Sequence, residues 1–109
     1  MKIGYDNNKL KKLCLTSKAA VKELGTDSAR KLRARLADIE AHTNVSELHA
    51  GRPHPLRGDR FGQFSLDLAG GDRLIFKPEQ VPPPIKKDVG IDWKSVESII
   101  IIFIGDHHE

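Results

Sequence analysis

One cysteine, one methionine, one tryptophan and one tyrosine are all that this 109-residue chain carries of those types. With Cys14 alone, an intrachain disulfide is excluded, so the fold must be held by burial rather than by covalent staples. No apolar stretch approaches the roughly 20 residues a membrane helix needs; the most apolar, Ile99 to Ile104, is far too short. Repeats and low-complexity tracts are absent, which removes solenoids and biased linkers. Nothing resembles a secretory leader: Met1-Lys2-Ile3-Gly4-Tyr5 runs straight into the polar Asp6-Asn7-Asn8, so a cytoplasmic protein is expected. Nor is there a large excess of one charge, the net value being +3. What remains, 39% hydrophobic and 30% charged residues, is the composition of one folded domain and not of a disordered chain.

The charge is unevenly spread. From Lys9 to Arg35 nine basic residues face only two acidic ones, Glu23 and Asp27, a local excess of seven. Such a block attracts phosphates at long range, although a solvated pair of helix faces would look the same in sequence. Cys14 falls inside an apolar helical stripe and reads as a small core residue.

Periodicity divides the chain. Residues 2–5 read as a short strand. From Asn8, the positions Leu10, Leu13, Cys14, Val21 and Leu24 recur at helical spacing, with Thr16-Ser17 able to split the stretch and Gly25 to end it. Thr26 or Asp27 can cap a second helix, which runs to about His42 on the stripe Ala29, Leu32, Leu36 and Ile39. Its bases come early (Arg30, Lys31, Arg33, Arg35) and its acids late (Asp38, Glu40), against the preference of the helix dipole. The reversal suggests a basic end kept for a partner.

After Thr43-Asn44 the period becomes two. Gly62 to Leu68 puts Phe64, Leu66 and Leu68 on one face, with Ser65 and Asp67 on the other. Gly70-Gly71 signals a hairpin turn, and Arg73 to Lys77 returns with Leu74 and Phe76 on one side. The prolines after Lys77 predict a long loop from 78 to about 93, in which Lys86-Lys87 and Trp93 are the candidate contacts. Trp93 can equally anchor the loop just before the last strand. Val96 to Ile104 reads as a central strand covered on both faces. The expected fold is therefore α+β: two amphipathic helices on one face of a small, mainly antiparallel sheet, in the order β–α–α–β–β–β and in a single domain.

Residues 54–60 read His-Pro-Leu-Arg-Gly-Asp-Arg, followed by Phe-Gly-Gln-Phe-Ser-Leu-Asp-Leu; later come Gly71-Asp72-Arg73-Leu-Ile-Phe and the end Ile104-Gly105-Asp106-His107-His108-Glu109. This pattern resembles the HigB branch of the RelE/ParE toxin superfamily, whose element reads His-Pro-Leu-Lys-Gly-Asp-Arg-x-Gly-x-Trp-Ser-Ile, followed by Trp-Arg-Ile-x-Phe and a terminal Asp-Tyr-His. The specific part of the resemblance covers about residues 54–77 and 104–108. Phe64 replaces the tryptophan, His107 replaces the tyrosine, and the 78–93 loop stands where the branch has a short turn.

The resemblance implies a toxin of a type II toxin–antitoxin pair, a ribosome-dependent endoribonuclease acting on messenger RNA and inhibited by a cognate HigA-like antitoxin. It matches His54 to the histidine before the proline and Arg57 to the basic residue of that loop. Arg73 matches the strand arginine, and Asp106 and His108 match the terminal pair.

Metal-free RNA cleavage needs a base for the 2′-hydroxyl, an acid for the leaving 5′-oxygen, and cations on the phosphoryl oxygens. Histidine suits the proton transfers and arginine the phosphate. The expected assignment puts Arg73 and Arg57 on the phosphate, with Arg60 as a further RNA contact. His54 and His108 divide the acid–base work, His107 holds the nucleotide, and Asp106 orients a histidine or serves as base.

Each has a plainer role to set beside this: His54 a loop residue, Arg57-Gly58-Asp59-Arg60 a turn closed by a salt bridge, Arg73 a surface partner of Asp67. No cofactor, small-molecule ligand or metal is expected. Asp106-His107-His108-Glu109 supplies ligand types, but adjacent strand histidines point to opposite faces. Two other functions fit the superfamily, a ParE-like inhibitor of DNA gyrase and a catalytically inert antitoxin-binding module. The set of His54 with a terminal Asp-x-His argues for RNA chemistry over the gyrase inhibitor, while histidine in place of tyrosine at 107 keeps the inert module open.

Overall fold

The computed structural model describes residues 1–87 and 90–106. The chain opens with strand β1 (Lys2–Tyr5), then helices α1 (Asn8–Leu15), α2 (Ser17–Leu24) and α3 (Thr26–Ala41). The expected first helix is thus two. Thr16 adopts extended backbone (φ −123°, ψ 106°), and its N–H closes on the Lys12 carbonyl, so α1 ends there and α2 starts in a new direction. Asn7 caps α1, its side chain accepting from the Leu10 N–H at 2.9 Å. At α3 the cap position is Gly25 (φ 86°) and not Thr26 or Asp27; Asp27 lies in the first turn and pairs with Arg30 at 3.5 Å.

Five strands form the main sheet: β2 (His54–Pro55), β3 (Phe64–Asp67), β4 (Asp72–Pro78) and β7 (Ser98–Asp106) join β1 in the spatial order β1-β7-β4-β3-β2. All neighbours are antiparallel except β1 and β7. Between β4 and β7 lie a two-residue hairpin, β5 (Ile85–Lys86) with β6 (Gly90–Ile91), and a 3-10 turn at Trp93–Ser95. The segment expected to be pure loop therefore holds a small hairpin of its own, and Pro78 ends β4 opposite Ile99 instead of lying beyond it.

The helices cover one face of the sheet. Leu10, Ala20, Ala29, Leu32, Leu36 and Ile39 pack on Phe64, Leu66, Leu68, Leu74, Phe76, Ile99 and Ile101 in one buried cluster. The alternation anticipated for β3 and β4 is what brings Phe64, Leu66, Leu74 and Phe76 to this side. Phe64 stacks on Phe76 (5.4 Å between centroids) and meets the edge of Trp93 at 4.9 Å. Trp93 thereby anchors the 78–93 segment to the core. The N-terminal ammonium caps the end of α3, donating to the carbonyls of Ile39 (3.0 Å) and His42 (2.6 Å).

β7 departs from expectation. It lies inside the sheet but extends to Asp106, and only Ile99 and Ile101 are fully buried. Opposite β4, Ile75 pairs with Phe103 while Phe76 pairs with Ile101, so Ile102 is an extra residue in β7. This bulge reverses the parity of everything after it. Phe103 and Gly105 move to the face away from the helices; Ile104 and Asp106 move to the helix side.

Candidate active site

The face away from the helices is organised in two rows across the strands. One row runs His54, Ser65, Ile75, Phe103; the next runs Asp67, Arg73, Gly105. Neighbours within a row are separated by one strand spacing of roughly 4.8 Å, and the rows by roughly 7 Å. His54 and Arg73 therefore rise from backbone positions on the order of 12 Å apart. Ser65 and Ile75, which lie between them on this face, are buried.

Asp67 is the hub of this face. Its Oδ1 stands 3.1 Å from Arg73 Nε and its Oδ2 3.1 Å from Arg52 Nε. Oδ1 is buried and meets Arg73 as an ion pair outside hydrogen-bond angles. The Asp67 main chain is held as well: its carbonyl accepts from Arg35 Nε at 3.0 Å, and its N–H donates to the Gly51 carbonyl at 2.6 Å. Arg73 is only 21% exposed and also donates from Nη1 to the Asp72 carbonyl at 3.3 Å. With its Nε edge committed to Asp67, the guanidinium has little freedom left to lose when it binds an oxyanion.

His54 is oriented by its neighbour. Its Nδ1 lies 2.9 Å from the Arg52 carbonyl oxygen, and because a carbonyl only accepts, Nδ1 must carry the hydrogen. In neutral His54 the lone pair then sits on Nε2. Arg52 itself takes a left-handed backbone (φ 48°), rare outside glycine, in a loop locked by Gly51. This loop sets both the histidine tautomer and one side of the Asp67 carboxylate.

The 54–60 segment completes the rim. Arg57 opens the 3-10 turn Gly58–Arg60 and is exposed. The salt bridge considered for this turn is not formed among the described residues. Arg60 instead donates to Gln63 Oε1 at 2.8 Å and lays its guanidinium over the Phe103 ring, 5.4 Å from the centroid.

The structure thus brings His54, Arg60 and Arg73 to one face, leaves Arg57 exposed at the start of the adjoining turn, and makes the Arg73–Asp67 pair real. Asp106 is different. It pairs with Asp72, whose carboxylate accepts from buried Ser28 on α3 at 2.6 Å, whereas Arg73 pairs with Gly105. The bulge at Ile102 therefore puts Asp106 on the opposite side of the strand from Arg73, its carboxylate crowding Gly71. His107 and His108 lie outside the described residues. Sequence reasoning missed Arg52 altogether, for no motif marks it. Asp67 was visible as the polar side of an alternating strand, three residues before Gly70 of the hairpin turn, but its role as hub was not.

The fold is that of known toxins. The chain superposes on the YoeB/ParE toxin from Agrobacterium tumefaciens with a TM-score of 0.63 at 14% identity, covering 99% of this chain and 100% of that one. It superposes on the YoeB dimer from Staphylococcus aureus at 0.59 and 14%, and on the YoeB–YefM complex from the same organism at 0.59 and 13%, covering 99% of this chain and 98% of theirs in both cases. At such identities the likeness establishes the fold. No protein-family model and no curated protein matches the chain by sequence.

Proposed function

We propose, with the fold of YoeB and ParE toxins as premise, that this chain is the toxin of a type II toxin–antitoxin pair that cuts messenger RNA on the ribosome without a metal. One observation carries the reading: a histidine with its Nε2 lone pair fixed by tautomer shares a face with an arginine pre-aligned by the half-buried Asp67 carboxylate. An enzyme that cleaves RNA through its own 2′-hydroxyl needs that pairing of base and phosphate clamp.

In this mechanism His54 Nε2 takes the proton of the 2′-hydroxyl as its oxygen attacks the adjacent phosphorus. The bond to the 5′-oxygen breaks, and a protonated histidine of the terminal pair supplies the proton to that oxygen; His108 is assigned this role, with His107 against the nucleotide. Arg73, with Arg57 at the rim, neutralises the charge that accumulates on the phosphoryl oxygens. The products are a 2′,3′-cyclic phosphate and a free 5′-hydroxyl. Asp106 acts from the far side of its strand, as a residue that positions the terminal histidines and not as the base.

The test is cleavage of a defined message on programmed ribosomes, with the chemical ends of the products read. Wild-type protein should cut, while His54→Ala and Arg73→Ala should each lose at least about 100-fold, the usual weight of one acid–base or charge-stabilising group. Products that carry a 5′-phosphate and a 3′-hydroxyl, or cleavage that survives both substitutions, defeat the mechanism. In S. aureus YoeB is found in complex with YefM; an antitoxin of HigA type is proposed as the partner of this chain. A gyrase-directed reading draws on the ParE part of the A. tumefaciens toxin's name, and it predicts inhibited supercoiling with no cut message.

A further inference from the structure

Arg60 and Phe61 take no part in the proton transfers, yet they are placed with care. The Arg60 guanidinium is held at two points, its Cζ over the Phe103 ring at 5.4 Å from the centroid and its Nη1 donating to Gln63 Oε1 at 2.8 Å. The Gln63 N–H donates back to the Arg60 carbonyl at 3.0 Å, which closes the turn around the pair. Phe61, next in the chain, is 64% exposed, the one aromatic among the exposed large hydrophobic residues described. Its ring rests against bare backbone at Gly90, where a Cβ would come within 3.2 Å of Phe61 Cζ. A held guanidinium and a propped, exposed ring belong to consecutive residues next to the face that carries Arg73 and His54.

Phe103 lies one strand repeat, roughly 7 Å, from the row that holds Arg73. A nucleotide next to a phosphate on Arg73 is then within reach of Arg60. Unpaired RNA bases are held in this manner, stacked on aromatic rings or on arginine planes.

We infer that Arg60, backed by Phe103, and Phe61 form a stacking subsite for an unpaired nucleobase beside the scissile phosphate. The inference rests on the proposed RNA-cleaving function and adds to it a base-recognising surface that is indifferent to sequence, because every base offers a π-face. It also gives Arg60 a task that a mere point charge cannot perform.

The test uses the full chain and two single-stranded 2′-O-methyl RNA hexamers, which cannot be cleaved, one with bases and one fully abasic. Dissociation constants are read by fluorescence anisotropy at low salt, and a 2-aminopurine in the first hexamer reports stacking. Arg60→Lys keeps the charge and loses the plane; Phe61→Leu keeps the apolar bulk and loses the ring. Both variants are first shown to be folded by thermal denaturation.

The wild type should prefer the base-bearing hexamer and quench its 2-aminopurine. Each variant should weaken that binding about 10-fold while leaving the abasic hexamer within about twofold. Equal losses on both hexamers, or none on either, overturn the subsite. If the wild type binds the two hexamers alike yet still cuts message on ribosomes, the subsite falls and the nuclease reading stands. If it binds neither and cuts nothing, both fall together.

Discussion

Gly51 offers a sharp way to perturb the scaffold behind the candidate site. It sits at φ 82°, and its carbonyl accepts from the Asp67 N–H at 2.6 Å. A Cβ there would overlap Arg35 Nε and stand 3.1 Å from the Asp67 carbonyl oxygen, the acceptor that Arg35 Nε now reaches at 3.0 Å. Gly51→Ala therefore carries two costs. Left-handed backbone costs a residue with a Cβ roughly 1–2 kcal/mol. Displacing Arg35 removes a charge-assisted hydrogen bond, worth about 1 kcal/mol once solvent screening of a part-buried pair is allowed for.

Their combination, roughly 2–3 kcal/mol, should lower Tm by about 8–12 °C in a chain of this size. Urea unfolding followed by circular dichroism reads the same loss as a shift in midpoint. A double-mutant cycle separates the terms. In an Arg35→Ala background the overlap is gone, so Gly51→Ala should cost only its backbone share, with a coupling of about 1 kcal/mol. A Gly51→Ala protein within about 0.5 kcal/mol of wild type, or strict additivity with Arg35→Ala, would refute the packing argument.

Three further outcomes are expected. Burial pushes the Cys14 thiol up to about 12, so at neutral pH iodoacetamide should alkylate it at least about 100-fold more slowly in the native protein than in urea; similar rates would mean the thiol is accessible. The N–H groups of Thr43 (2.7 Å) and Asn44 (3.2 Å) hold the Glu47 carboxyl below its ordinary value. A depressed carboxylate adds stability that is present above the unfolded pKa and lost as pH falls through the folded one, so Glu47→Gln should flatten the acid limb of the stability profile. Parallel profiles for the two proteins would remove Glu47 from the account. Phe64→Ala takes away the ring wedged between Phe76 and Trp93 and should cost about 3–5 kcal/mol with altered tryptophan emission; a cost below about 1 kcal/mol would deny that cluster its place in the core.

Much of this architecture was legible because it obeys local periodicity. The stripe Ala29, Leu32, Leu36 and Ile39 gave α3, and the alternation from Phe64 to Leu68 assigned Asp67 to the face it occupies. The Gly70-Gly71 turn then made Arg73 its cross-strand neighbour. The parts that escaped are those in which backbone geometry departs from pattern. An isoleucine-rich run carries no mark of where a bulge falls, so the parity switch at Ile102 was invisible. With it went the side of the strand on which Asp106 lies. Thr16 as a helix break was one of two readings that its neighbours allowed equally. Arg52 orients His54 through a left-handed main chain and a carbonyl oxygen, and neither is written in residue type. The helix-side charge reversal was visible, and one basic residue behind it, Arg35, proves to hold the main chain of Asp67.

The most direct test of the central claim is a map of new 5′ ends across cellular messages shortly after the protein is induced. It would be taken with and without a translation inhibitor, and repeated for His54→Ala. The account predicts cuts within coding regions that carry 5′-hydroxyls, disappear when translation is blocked, and are lost in the variant. Growth arrest with no new ends, or cuts that persist in His54→Ala, would contradict it.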